Sequence, residues 1–306
     1  MADGMRSRAL VAMVSSLFVL LLPALLDAET ALKWKLKEGQ SIEQLMDTKS
    51  TTTMPSMNVK TSQTMAMNTV WNVKKIGPDG KADIVQKTEN LRCKMEMPQA
   101  TLEYDSKAGK KFAEPMGSML NPIFDALLQG ETKFQMTPEG KFENIQFPEK
   151  MMAALKGGPT GGALSEDTFK QMLESFPAFP AEGMAVGKKW DHELKVNMPF
   201  GTMNVASTFV YKGPEKKEGQ DLEAIDIKSS VTFTKSEGSP VDMKLKSFNS
   251  TGKAYFDNQL GRYNEMVQSQ KMVLEISGGG MAAMEAISET ETKVKFSDRK
   301  AEPKKE

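Results

Sequence analysis

The 306-residue sequence has one cysteine, one histidine and no net charge, with 40 Lys+Arg against 40 Asp+Glu. A single cysteine excludes an internal disulfide framework and a Cys-cluster metal site. A single histidine excludes a multi-His zinc centre. Zero net charge removes the electrostatic case for nucleic acid or an anionic membrane surface. No cofactor motif stands out, so no cofactor is expected. What remains, 39% hydrophobic and 26% charged residues, is the composition of a chain that folds.

The N-terminus reads as an address. Arg6 and Arg8 precede an apolar run from Ala9 to Leu26, and Asp27-Ala28-Glu29 restores polar sequence. This is the pattern of a secretory signal peptide over residues 1–28, with cleavage after Ala28 and Met5 as an alternative start. The rival is an uncleaved anchor, although Pro23, Ser15 and Ser16 interrupt the run. After cleavage no stable transmembrane segment is expected, and the protein is placed in the periplasm or the medium. Export constrains Cys93, which alternates with Arg92 and Lys94 and is expected on a buried strand face.

Period-two patterning dominates the rest. From Met57 to Val73 the odd positions are mainly apolar and the even ones mainly polar, which predicts a half-wet strand. Ile76-Gly77-Pro78-Asp79-Gly80 is a turn signal, and a partner strand follows from about Ala82 to Met97. Later, Met203, Val205, Phe209 and Tyr211 alternate with polar residues, and Gly213-Pro214 is expected to end that strand. Leu222–Thr234, Val241–Ser250, Gly252–Phe256, Met266–Ile276 and Thr290–Phe296 are further strands. Helical spacing is confined to Met116–Leu128, with Pro122 near a start, to Pro148–Leu155, and to Ser165–Ser175 with Ser165 as N-cap and Phe169, Met172, Leu173 and Phe176 as its buried stripe. The glycine-rich stretch 157–162 lacks a following Gly-Lys-Ser/Thr and reads as a linker.

Two halves echo each other. Trp71 to Pro78 resembles Phe209 to Pro214, and Phe134 to Phe142 resembles Ala254 to Tyr263, each of the latter pair carrying Gly-Lys-Phe or Gly-Arg-Tyr. The expected fold is α+β, mostly antiparallel β: a duplicated unit of long curved strands with a few helices on one face. The organisation is a first β-rich half over 29–150, a helical and Gly-rich connector over 151–180, a second β-rich half over 181–298, and a solvated tail over 299–306. The segment Phe179-Pro180-Ala181-Glu182-Gly183-Met184-Ala185-Val186-Gly187-Lys188-Lys189-Trp190, the turn Thr137 to Phe142, and Phe256 to Tyr263 resemble an uncharacterised family of exported bacterial proteins, well represented in planctomycetes. That resemblance implies no reaction and no site residues.

No catalytic constellation emerges. His192 has no Gly-x-Ser-x-Gly elbow to pair with, and its acidic neighbours Asp191 and Glu193 are badly placed to orient it. Carboxylates are unclustered, so a hydrolase would need a pair that meets only in space. The unusual feature is 24 methionines. Soft thioethers suit Cu(I), with Met54, Met57, Met65, Met67, Met95 and Met97 as candidates. Alternatively they are adaptable core residues or the wall of an apolar pocket. The expected function is non-catalytic: an exported protein holding an apolar ligand such as a lipid in a sheet–helix cavity. Met57, Met65, Met67, Trp71, Met95 and Met97 would form the wall, and Met119, Phe124 and Leu127 the lid. A structural or protein-interaction role in the envelope and Met-based Cu(I) binding are the alternatives.

Overall fold

The computed structural model describes residues 29–157, 166–174, 176, 178–198, 201–236, 241–278 and 281–299. Residues 1–28, on which the expected signal peptide falls, the stretch 158–165 with most of the expected linker and Ser165, the Met172 side chain and residues 300–306 lie outside the described residues. Among the described residues twelve strands form one antiparallel sheet: β1 (Ser41–Met54), β2 (Val59–Ile76), β3 (Ala82–Met97), β4 (Ala100–Asp105), β5 (Glu131–Met136), β6 (Phe142–Gln146), β7 (Lys189–Met198), β8 (Gly201–Lys217), β9 (Gln220–Lys235), β10 (Val241–Asp257), β11 (Arg262–Gly278) and β12 (Met281–Asp298). Among the described residues three helices sit between β4 and β7: α1 (Met116–Gln129), α2 (Glu149–Gly157) and α3 (Glu166–Glu174). The strand order is β6-β5-β3-β2-β1-β12-β11-β10-β9-β8-β7, and β4 pairs with β3 beside this path. The fold is therefore mostly antiparallel β with few helices. No helix among the described residues is long and apolar enough to cross a membrane.

The two halves share one sheet because β1 pairs with β12 along twelve residues, Ile42 opposite Asp298 through Thr53 opposite Ile287. They also share one core. Trp71 stacks on Trp34 at 5.9 Å, and Trp34 meets Phe256, Tyr263 and Phe296 edge-on at 6.2, 5.7 and 6.1 Å. Phe134, Phe142, Phe179, Phe209 and Tyr211 complete this aromatic cluster. Its members come from both ends of the strand order, so the sheet curls around it. α3 touches both terminal strands, β6 and β7.

The segment before β1 closes this end. Trp34 N donates to Pro138 O at 2.7 Å, Lys35 N to Gly261 O at 2.9 Å, and Thr30 and Met184 exchange backbone bonds. The two glycine turns of the sequence echo both lie against it. At Gly140, with φ +90, a Cβ would stand 2.7 Å from Trp34 Nε1, and at Gly261, with φ +64, one would strike Lys35. Glycine is required at both for backbone conformation and for close approach.

Several boundaries differ from the sequence reading. β1 has no counterpart there, because its core-facing positions run Ile42, Gln44, Met46, Thr48, Ser50 and fade from apolar to polar. Met57 lies in a 3-10 turn, with Asn58 at φ 51 reversing the chain, so β2 starts at Val59. Gly213-Pro214 does not end β8. It forms a bulge with a register shift between Tyr211 and Gly213, and the strand runs on to Lys217. β7 stops pairing at Val210, so Pro214 sits where the outer edge of β8 needs no N–H. Val241–Ser250 and Gly252–Phe256 are one strand, β10. Pro122 is the seventh residue of α1, not near its start, and it is exposed, where the lost backbone bond faces water.

Candidate functional site

The core-facing side of the long strands changes character along its length. β8, β10 and β11 have 17 residues and β12 has 18, about 56–59 Å each at about 3.3 Å per residue. The aromatic cluster covers one end only. Phe209, Ile227, Ala254 and Val294 are buried there.

Beyond the aromatic end the same face turns polar in a row across the sheet. Side chains two residues apart on a strand share a face. In register, His192 of β7 stands opposite Ser207 of β8, and Ser207 opposite Ser229 of β9. Ser250 of β10 stands opposite Gln270 of β11, Gln270 opposite Thr290 of β12, Thr290 opposite Ser50 of β1, and Ser50 opposite Gln63 of β2. The row is internally bonded. Ser207 and Ser229 are 2.8 Å apart and Ser50 and Thr290 3.0 Å. Gln268 Nε2 donates to Ser250 at 3.1 Å and to Ser229 at 3.4 Å. Gln268 thus bridges β9 and β10 where their pairing ends, at Lys228 opposite Thr251. No position in this row carries a fixed charge, and His192 on the edge strand is its one titratable member.

Past the belt the face turns apolar again. Leu194 and Val196 of β7 stand opposite Val205 and Met203 of β8, which face Val231 and Phe233 of β9. Across the parting, Phe248, Leu245 and Met243 of β10 face Met272, Leu274 and Ile276 of β11, and the last two face Ala286 and Met284 of β12. All but the buried Ala286 are half-buried. None belongs to the buried hydrophobic clusters. A sheet that simply ran out past its core into water would stay polar outside. An apolar zone beyond a polar one has its own reason to be covered. The opposite face of the same strands is charged, with Lys271 paired to Glu289 at 2.8 Å and Lys246 to Glu275 at 2.5 Å.

The first half of the sheet is covered differently. α1 lies directly on β3 and β4. Phe124 meets Tyr104 at 5.0 Å and Phe112 at 5.5 Å, and Leu120, Leu127 and Leu128 pack against the buried cluster of Leu91, Cys93, Tyr104 and Phe112. Asn121 clamps Phe112 through both backbone groups, at 3.1 and 3.0 Å. Cys93 is buried, and burial pushes its thiol pKa up, with a Gln63 hydrogen bond opposing. Arg92 is on the other face, paired to Asp105 at 2.9 Å.

The predicted wall and lid residues therefore fall in three places. Met67, Met95, Phe124 and Leu127 meet in the helix-covered patch. Met65 stands opposite Cys93 beside it, and Met119 is half-buried on α1. Trp71 is in the aromatic core, its Nε1 donating to Gln44 at 3.0 Å. Met57 and Met97 are exposed near strand turns. Of the copper candidates, Met54 ends β1 at the same turn as Met57. None of these residues lines any of three clefts among the described residues. One, of about 400 Å³, opens on the charged face between Lys49, Thr51, Asn249, Thr251, Lys271, Glu289 and Glu291, and Ser269, Gln270 and Thr290 also line it. A second, of about 220 Å³, lies beside Trp34, Ile76, Met136 and Pro138. A third, of about 400 Å³, lies among Lys74, Asp83, Val85, Lys133, Gln135 and Asn144. Among the described residues no three His, Cys, Asp or Glu side chains cluster as a metal site.

The strongest charge cluster is structural in geometry. The Glu265 carboxylate, 4% exposed, is bonded by Lys217 and by Lys293 at 2.7 Å, with Lys295 at 3.6 Å. Burial pushes its pKa up, but the lysine hydrogen bonds outweigh burial and hold it below the usual carboxylate range. Lys217 also lies over the Tyr255 ring, at 4.0 Å.

Residues 79–262, more than half of the chain, match the family of unknown function DUF6263. The chain belongs to that family. No curated protein matches it. Among solved structures it is similar to lipovitellin, from a study titled for lipid–protein interactions, at 11% identity and TM-score 0.46 over 88% of this chain. The chain spans 26% of the lipovitellin chain's length. It is also similar to the translocator domain of the autotransporter NalP from Neisseria meningitidis, at 9% identity and TM-score 0.23, covering 86% of this chain and 90% of that one. The transport unit of the autotransporter AIDA-I from Escherichia coli gives 9% identity and TM-score 0.23, with 94% and 96% covered.

Proposed function

We propose that this is an exported, non-catalytic protein that holds an apolar ligand such as a lipid acyl chain. The ligand lies against the far zone of β8–β12 instead of beneath α1. The observation that carries the reading is the order apolar, polar, apolar along one sheet face, with the last zone half-buried and outside the hydrophobic clusters. The helix-covered patch is already filled by its own rings, so it needs no ligand. Export is supported by the N-terminal apolar run. The two glycine turns that meet the N-terminal segment support descent of the halves from one duplicated unit.

The test is native mass spectrometry of the full chain, exported by a bacterial host and purified without detergent. An organic-extractable mass excess is expected, and Leu274→Asp should remove it. Leu274 lies outside the hydrophobic clusters, so the variant should melt within a few degrees of the parent. A bare mass that stays bare after lipid is offered would refute the reading and favour a structural or interaction role.

A further inference from the structure

The polar belt identifies the kind of head group. This step rests on the reading that the far zone takes an apolar chain. A chain lying on Val231, Leu245, Leu274 and Ile276 has one end at the rim and the other at the belt. What stands at the belt is set by the chemistry there. The accessible groups are the Gln270 amide, which is exposed, and the half-buried Thr290 and Ser50 hydroxyls.

We infer that the site takes a neutral-headed amphiphile, with a hydroxyl or other uncharged hydrogen-bonding head on the Gln270–Thr290–Ser50 segment and its chain on the apolar zone. Three facts converge. First, the belt offers amide and hydroxyl groups, which both donate and accept, so they match a head that does the same. Second, its own register positions carry no cation; Lys49 and Lys271, which line a cleft with Gln270 and Thr290, stand at the alternate positions. An anionic carboxylate or phosphate brought there would lose water without a charge partner, which is costly beside apolar walls. Lysines are plentiful on these strands, but Lys228, Lys271 and Lys293 take the alternate register positions, on the other face. Third, Ser50 and Thr290 bond each other and Gln268 ties Ser229 to Ser250 across the parting of β9 and β10, so these hydroxyls are oriented before a ligand arrives. A surface that merely needed solvation would have no reason to place uncharged groups on this face and charged ones on the other.

The experiment offers the full chain four probes of equal chain length in separate native mass spectrometry titrations: a diacylglycerol, a phosphatidylglycerol, a free fatty acid, and a hydrocarbon without a head. The expected order places diacylglycerol about tenfold or more ahead of both anionic probes. The double variant Gln270→Leu/Thr290→Val should lose about tenfold for diacylglycerol while keeping the hydrocarbon. Equal or tighter binding of the anionic probes would overturn the assignment, as would a belt variant that binds diacylglycerol like the parent. Hydrocarbon binding with no head preference would leave the ligand reading standing and refute the belt's role. A chain that takes up none of the four removes both. The variants change partly exposed or half-buried side chains, and a far-ultraviolet spectrum matching the parent shows that loss of binding is not loss of fold.

Discussion

Removing the Trp34 ring tests whether one core joins the two halves. Trp34 belongs to no strand, yet it is buried and lies within 6.2 Å, centroid to centroid, of Trp71, Phe256, Tyr263 and Phe296. Trp71 comes from the first half and the other three from the second. Truncating a large buried aromatic leaves a cavity and costs about 3–5 kcal/mol. Net stability of a domain is about 5–15 kcal/mol, so Trp34→Ala should remove a large share of it. At about 2–4 °C per kcal/mol the melting temperature should fall by about 6–20 °C. The loss should appear as one transition, because both halves lean on the same ring. Gly140→Ala supplies the control. Its Cβ would stand 2.7 Å from Trp34 Nε1, and its φ of +90 is itself strained for alanine. Alone it should cost about 2–4 kcal/mol; in the Trp34→Ala background only the backbone strain of about 1–2 kcal/mol remains. The assay is urea unfolding followed by circular dichroism and fluorescence in a double-mutant cycle. A loss under about 1 kcal/mol for Trp34→Ala, or two separate transitions in the parent, would refute the shared-core argument.

Acid should unfold the protein partly through Glu265. Its folded pKa is held below 4.5, so its contribution is present above that value and is lost as pH falls through the lower, folded pKa. Glu265→Gln should lower stability at pH 7 by about 2–4 kcal/mol and flatten the decline between about pH 5 and pH 3, read from melting temperature against pH. Cys93 should resist alkylation by iodoacetamide at pH 8 in the native chain and react fully in urea, because the thiol is buried and its pKa raised. Rapid native labelling would show that α1 lifts from the sheet.

Much of the fold is legible in local pattern. The β2–β3 hairpin reads directly, because its turn residues behave as their chemistry requires: Gly77 N donates to Lys81 O at 2.8 Å and Lys81 N to Asp79 Oδ1 at 3.2 Å. α1 reads from helical spacing. β1 does not, since Gln44, Thr48 and Ser50 take three of its five core-facing positions from Ile42 to Ser50. The belt is hidden for the same reason. Ser207 interrupts Met203, Val205, Phe209 and Tyr211, and Ser229 separates Ile227 from Val231. Each looks like a lapse in alternation. Only cross-strand register shows that the lapses on neighbouring strands line up, and that Gln268 and Gln270, between Met266 and Met272, lie in the same band. A sequence signal existed in those interruptions, but single strands gave no means of aligning them.

By itself the sequence determined the class of structure. Period-two alternation selects strands, glycine and proline place the turns, and one cysteine and one histidine exclude disulfide scaffolds and multi-His metal sites. Those properties act over a few residues, so they are readable one segment at a time. Tertiary structure decided the rest: that β1 joins β12, that the glycine turns of both halves close on Trp34 and Lys35, and that α1 seals one apolar patch while another stays half-buried. Those outcomes depend on contacts between residues up to about 250 positions apart, such as Thr48 with Thr292. No local pattern encodes which strand lies beside which. Pairing register does, and it turns scattered serines, threonines and glutamines into one polar belt.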